Sequence, residues 1–175
     1  NVVWHGYDGN DYEILFWNGT EILQVTNNSY EDREPLINSN SMVCWVGNDG
    51  NDTEIYFWDG TSITQLTNNN YTDNFPSINN KGDIAWCGHI DDDYQLFYWN
   101  GTNTTQLTSD PTDKYYPQIN EDGEMCWRGF DGDDWEIYSL TGIAISKVSD
   151  NSFSDWDPKM NDDGMVIWRR EPGSN

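Results

Sequence analysis

Carboxylates dominate the residues of this chain that could do chemistry, and they recur in one setting. Three segments share an acidic pattern around a glycine: Asp8-Gly9-Asn10-Asp11-Tyr12-Glu13, Asp49-Gly50-Asn51-Asp52-Thr53-Glu54 and Asp131-Gly132-Asp133-Asp134-Trp135-Glu136. Hard oxygen ligands at alternating positions suit Ca²⁺, which takes roughly six to eight oxygens. The metal-ligand candidates are therefore Asp8, Asp11, Glu13, Asp49, Asp52, Glu54, Asp131, Asp134 and Glu136. A related segment, Ile90-Asp91-Asp92-Asp93 followed by Gln95, breaks the pattern and is expected to bind less well. The competing reading is plain turn chemistry, in which Asp11, Asp52, Asp93 and Asp134 accept hydrogen bonds from their own loops, since the full twelve-residue calcium pattern is absent. No cofactor is required on either reading.

Catalytic constellations are missing. His5 and His89 stand in unrelated contexts, and neither Gly-x-Ser-x-Gly nor His-Glu-x-x-His occurs. With 31 acidic residues, some pair will stand at glycosidase separation by chance. The chain is expected to be a non-enzyme, with glycoside hydrolysis the least unlikely activity. The net charge of −23 disfavours nucleic acid and anionic membranes, which are bound through Lys and Arg. Protein or glycan partners are the expectation. No apolar run approaches the roughly 18 residues of a membrane span. The chain opens inside a strand without Met or a signal peptide, as a mature or excised piece would.

The elements that position these residues follow from a repeat. Trp4, Trp45, Trp86, Trp127 and Trp168 stand 41 residues apart without insertion or deletion. Four periods fill most of the chain, and a fifth begins with an extra strand at 165–169. Within each period, short alternating apolar runs separated by turn residues read as four strands. In the second period these are Met42 to Val46, Glu54 to Trp58, Ile63 to Thr67 and Pro76 to Asn79. Asn18-Gly19, Asp59-Gly60 and Asn100-Gly101 suit two-residue hairpins. Gly82, Gly123 and Gly164 suit the left-handed position of a later turn, where the first copy has Ser41. Four strands in about 41 residues make one blade of an all-β propeller of four-stranded antiparallel blades. The whole of 1–175 is thus one propeller or propeller segment.

The repeated Pro-x-Ile-Asn-x-x-Gly-x-Ile-x-Trp, Gly-x-Asp-Gly-Asn-Asp-x-Glu-Ile-Tyr and Gln-Leu-Thr resemble the TolB-like (WD40-like) propeller repeats over essentially the whole chain. Asn stands where that family's turn has Ser-Pro. The resemblance implies secreted or periplasmic proteins that bind partners, and it fixes no reaction. An extracellular, cell-surface or periplasmic interaction module is the leading expectation, with Ca²⁺ as a candidate stabiliser. Alternatives are a carbohydrate-binding propeller and a surface array or filament self-associating through unpaired terminal strands.

The five periodic Trp residues are expected in the core. Trp135 and Trp156 have no Trp counterparts in other periods, read as loop residues, and are the ligand-binding candidates. Cys44 and Cys126 replace Val3, Ala85 and Ile167, so they and Cys87 are expected to be reduced packing residues. Asn-x-Ser/Thr patterns at Asn18, Asn27, Asn51, Asn70, Asn100 and Asn103 arise readily in so Asn-rich a chain.

Overall fold

A computed structural model describes residues 1–171; residues 172–175, counted above with the fifth period, lie outside the described residues. The strands are β1 (Val2–Tyr7), β2 (Tyr12–Trp17), β3 (Ile22–Gln24), β4 (Asp32–Ile37), β5 (Val43–Asn48), β6 (Thr53–Trp58), β7 (Ile63–Gln65), β8 (Asp73–Ile78) and β9 (Ile84–Ile90). There follow β10 (Asp93–Trp99), β11 (Thr104–Gln106), β12 (Lys114–Ile119), β13 (Met125–Phe130), β14 (Trp135–Thr141), β15 (Ala144–Lys147), β16 (Asp155–Met160) and β17 (Val166–Arg170).

Three four-stranded antiparallel sheets, β4-β5-β6-β7, β8-β9-β10-β11 and β12-β13-β14-β15, are flanked by β1-β2-β3 and β16-β17. Each sheet opens on the Pro-containing strand, which pairs with the Trp strand that follows it. The blade frame therefore starts later in the sequence than the Trp-based count suggests. The Pro strand is also longer than its apolar residues imply, because it begins at the polar Asp32, Asp73, Lys114 and Asp155.

Sheets stack through apolar clusters. Phe16, Val43, Trp45 and Trp58 join the first two, Cys44, Phe57, Ile84 and Trp86 the next two, and Cys87, Leu96, Met125 and Trp127 the following pair. A Trp strand inside the stack is covered on both faces, which explains its unbroken apolar run. Trp45, Trp86 and Trp127 are 0–2% exposed, as expected of core residues. The end copies correct that expectation: Trp4 is half-buried and Trp168 is 37% exposed, because a sheet packs on only one side of each.

Gly47 in β5 makes room for a neighbour. It allows the Tyr56 ring to lie across the strand, stacked on Trp45 at 5.7 Å between centroids. Trp86–Phe97 and Trp127–Tyr138 repeat the stack at 5.7 and 6.0 Å.

The turns correct one expectation. Asn18, Asp59 and Asn100 open four-residue loops, not two-residue hairpins. Their side-chain oxygens accept hydrogen bonds from the backbone amides two and three residues on, at 2.8–3.1 Å, and this closes the longer loop. The fourth copy, with Thr141 at that place, has the two-residue turn Gly142-Ile143. Gly82, Gly123 and Gly164 take positive φ as expected, and so does Ser41 at 66°.

Candidate functional site

The acidic loops join each Trp strand to the next strand. Asp8, Asp49 and Asp131 close them, each accepting from two backbone amides ahead of it at 2.8–3.4 Å. Turn chemistry alone predicts that work for Asp11, Asp52 and Asp134. Those side chains instead turn inward toward Glu13, Glu54 and Glu136, which are fully buried. In each loop the carboxylate oxygens of all three candidates come within 4.8 Å of one another, bringing together all nine ligand candidates as three triads. Buried Asp11 Oδ1, Glu13 Oε2, Asp52 Oδ1 and Asp134 Oδ1 have no donor among the described residues.

Burial and adjacent carboxylates raise the pKa values of Asp52 and Asp134, and burial raises that of Glu13. Lys147, 2.6 Å from Asp131, joins the loop amides in holding that carboxyl down to about 2. The divergent segment is a tight turn at Asp91-Asp92, with Asp91 at φ 57°, and forms no triad.

The buried glutamates have a second task that sequence reasoning missed. Oε1 of Glu13, Glu54 and Glu136 accepts from the backbone N–H of Asn28, Asn69 and Asn151 at 2.6–2.8 Å. The same asparagines donate to Asp32, Asp73 and Asp155 at 2.7–3.0 Å. Asp32 and Asp73 in turn accept from the indoles of Trp45 and Trp86, at 2.7 and 3.0 Å. Burial lifts the Asp73 carboxyl to about 7, and the neighbouring Glu54 adds to the shift. Where Gln95 replaces the glutamate, buried Lys114 replaces the aspartate, and both turn to the Asp110–Thr112 segment. A comparison of Gln95 with Lys114 across periods is the sequence signal that could have revealed this network.

Trp135 and Trp156 lie on strands β14 and β16, not in loops as expected, since the polar residues beside them belong to strand ends. Their ring centroids are 6.2 Å apart. Arg128 packs against both, its guanidinium carbon 4.4 Å from the Trp135 centroid and 4.2 Å from that of Trp156. Two tyrosines, Tyr115 and Tyr116, complete the surround at 5.2 and 5.4 Å.

The four Pro strands share a kink. Glu34, Phe75, Tyr116 and Asp157 adopt φ values of 53–57°, and the pairing register shifts at each one. The following proline has no N–H to give the ladder, so the chain bulges there. A cavity of about 250 Å³ opens across these strands, lined by Glu34, Phe75, Tyr116, Gln118 and Lys159 among others. Phe75 and Tyr116 face each other there, 4.6 Å between centroids.

All three cysteines are free and buried, and burial pushes their thiols up, Cys126 to about 12. His5 accepts from the Glu34 amide at 3.3 Å, whereas His89 packs on Tyr94.

No family model and no characterised protein sequence matches the chain. Solved structures do. TolB from Acinetobacter baumannii matches 99% of this chain and 47% of its own, with a TM-score of 0.72 and 14% identity. A putative TolB from Agrobacterium tumefaciens matches 91% of this chain and 62% of its own, with a TM-score of 0.69 and 15% identity. The chain thus spans roughly half to three-fifths the length of these neighbours. Dipeptidyl peptidase 4 from Porphyromonas gingivalis shares the fold over 95% of this chain and 30% of its own, with a TM-score of 0.70 and 10% identity. That likeness overturns the expectation of a non-enzyme: a peptidase carries this fold, so the architecture is no ground for setting catalysis aside. The stacked four-stranded blades and these matches together give the chain the fold of the TolB-like β-propellers.

Proposed function

We propose that the chain is an interaction module that receives a protein segment on the face where the four Pro strands meet. The observation that carries this is the repeated left-handed kink at Glu34, Phe75, Tyr116 and Asp157 beside one shared cavity. Non-glycine residues in this conformation cost of order 1–3 kcal/mol each, and such strain concentrates at ligand-binding positions. Phe75 and Tyr116 offer aromatic surface, and Lys159 and Glu34 offer charge of both signs. The resemblance to TolB-like repeats supports a protein partner and a periplasmic or extracellular location. A glycan partner is less well supported, because Arg128 already covers one face of Trp135 and of Trp156.

The test is a display selection of random peptides on the folded protein. Selected peptides are expected to lose at least tenfold in affinity against Tyr116→Ala, with the fold checked by circular dichroism. Equal binding to wild type and to both Tyr116→Ala and Phe75→Ala would remove the proposal.

A second reading, Ca²⁺ in the acidic loops, is favoured by the unpartnered oxygens of Asp11, Glu13, Asp52 and Asp134. A cation would supply what these oxygens lack and relieve the repulsion within each triad. The Asp131 loop should be the weakest of the three, since Lys147 already neutralises part of its charge. Calorimetry after chelation should show heat and a raised melting temperature on adding Ca²⁺, both diminished in Asp11→Asn with Asp52→Asn. No heat and no shift would end this reading.

A further inference from the structure

Two tryptophans that depart from the repeat meet a buried arginine at one place. The position of Arg128 is held in other periods by His5, Val46, Cys87 and Arg169; Val46 and Cys87 are buried and uncharged, and Arg169 is exposed and paired with Asp157. Trp135 and Trp156 are the two tryptophans without counterparts in other periods. The fold therefore does not need a guanidinium at this position, yet all three residues stack together here.

Arg128 is only 8% exposed, and in a chain of net charge −23 it has no hydrogen-bond acceptor or ion pair among the described residues. The other seven basic side chains each have an acceptor, from Arg33 on Glu31 to Arg170 on Asp155. Four aromatic rings hold the guanidinium plane by cation–π contact, but rings accept none of its five in-plane N–H bonds. Its Nε–H is buried and unpartnered, and so is the indole Nε1–H of the adjacent Trp156.

The carboxylates that could have answered it are engaged elsewhere. Asp157 pairs with Arg169 at 3.0 Å, and Asp113 accepts from the Tyr94 amide at 2.9 Å. A buried charge with unmade hydrogen bonds is costly, and a site built with two such donors is complementary to an acceptor that arrives from outside. Guanidinium and carboxylate match in geometry, forming two parallel bonds.

We propose that Arg128 and the Trp156 indole form a recognition site for a carboxylate carried by a peptide ligand. The aromatic surround preorganises the guanidinium and excludes water from it, so the ion pair forms where it is poorly screened. Tyr116 belongs both to this surround and to the cavity of the Pro strands, so the proposal rests on the reading of that face as the docking surface. The carboxylate has two sources, an Asp or Glu side chain or a chain terminus.

The test follows the Trp156 indole N–H resonance, assigned with Trp156→Phe, during titration with three short probes. These are acetyl-Gly-Asp-Gly-amide, acetyl-Gly-Gly-Gly with a free carboxylate, and acetyl-Gly-Asn-Gly-amide. Either carboxylate probe should shift the resonance, and the stronger of the two identifies the source. The Asn probe should bind at least tenfold more weakly. Arg128→Met should abolish the shift; Val46 and Cys87 at the equivalent position indicate that an apolar residue is tolerated there. Equal response to the Asn and carboxylate probes in the wild-type protein would overturn the proposal even if Arg128→Met fails to fold, and an unchanged response in Arg128→Met would overturn it directly. The small probes do not need the cavity, so a carboxylate-specific shift with no loss in the Tyr116→Ala peptide test would sink the docking reading alone.

Discussion

Asp73 makes the stability of this propeller depend on pH in a direction opposite to that of an ordinary surface carboxylate. It is fully buried, it accepts from the Trp86 indole and the Asn69 amide, and it lies beside Glu54. Burial raises its carboxyl to about 7 from an ordinary 3.8. Between those two values the folded chain holds a proton that the unfolded chain has released. Stability therefore falls as pH rises through 7, and lowering the pH restores it. With a folded value of about 7, the loss between pH 6 and pH 8 is about 1.4 kcal/mol, one proton over an effective pH unit. For a chain of this length that is a fall in melting temperature of about 3–6 °C. Asp73→Asn removes the titration: its oxygen can still accept from Trp86, while its amide stands where an oxygen accepts from Asn69 and so loses that hydrogen bond equally at both pH values. Differential scanning calorimetry at pH 6 and 8, with chelator present, should show the wild type melting lower at pH 8 and a smaller difference in Asp73→Asn. Asp32, raised in the same direction by burial, leaves the variant some residual slope. A wild type that gains stability from pH 6 to 8, or a variant with the full wild-type difference, would refute the reasoning.

Two further outcomes test the packing. Trp45→Ala should cost about 3–5 kcal/mol because it empties a site between two sheets and leaves Asp32 without its indole donor, whereas Trp168→Ala should cost about 1 kcal/mol or less; denaturant unfolding measures both. Gly47→Ala should destabilise by about 1–3 kcal/mol, since the new Cβ would stand 2.8 Å from the Tyr56 ring and press on Asp32, and near-ultraviolet dichroism should report a disturbed Trp45–Tyr56 stack.

What was legible in the sequence is what repetition writes several times. The 41-residue Trp spacing gives the blades, and the acidic loops reappear as three compact triads where the pattern is intact and as a plain turn where Asp91-Asp92 breaks it. The full length of the Pro strand is not legible because its first residues are polar. Asp32, Asp73 and Asp155 belong to a core network of Trp, Asn and Glu side chains that bond one another, and hydropathy gives no sign of such burial. Asn-Gly and Asp-Gly commonly make two-residue turns, while the side-chain cap that lengthens the loops at Asn18, Asp59 and Asn100 depends on residues two and three positions ahead.

The same comparison separates support from recognition. A residue repeated in every blade is explained by what each blade needs, as the Trp–Asp–Asn–Glu network shows: where Gln95 enters, Lys114 enters with it, and the pair still satisfies its loop. Arg128 enters with no such compensation. Arg169, one period on, has Asp157 as its carboxylate partner, whereas the neighbours Trp135 and Trp156 bring Arg128 aromatic faces and one more unanswered N–H. A substitution in a repeat that the fold compensates is neutral packing, whereas the unanswered donors of Arg128 and Trp156 are what the proposed carboxylate would satisfy.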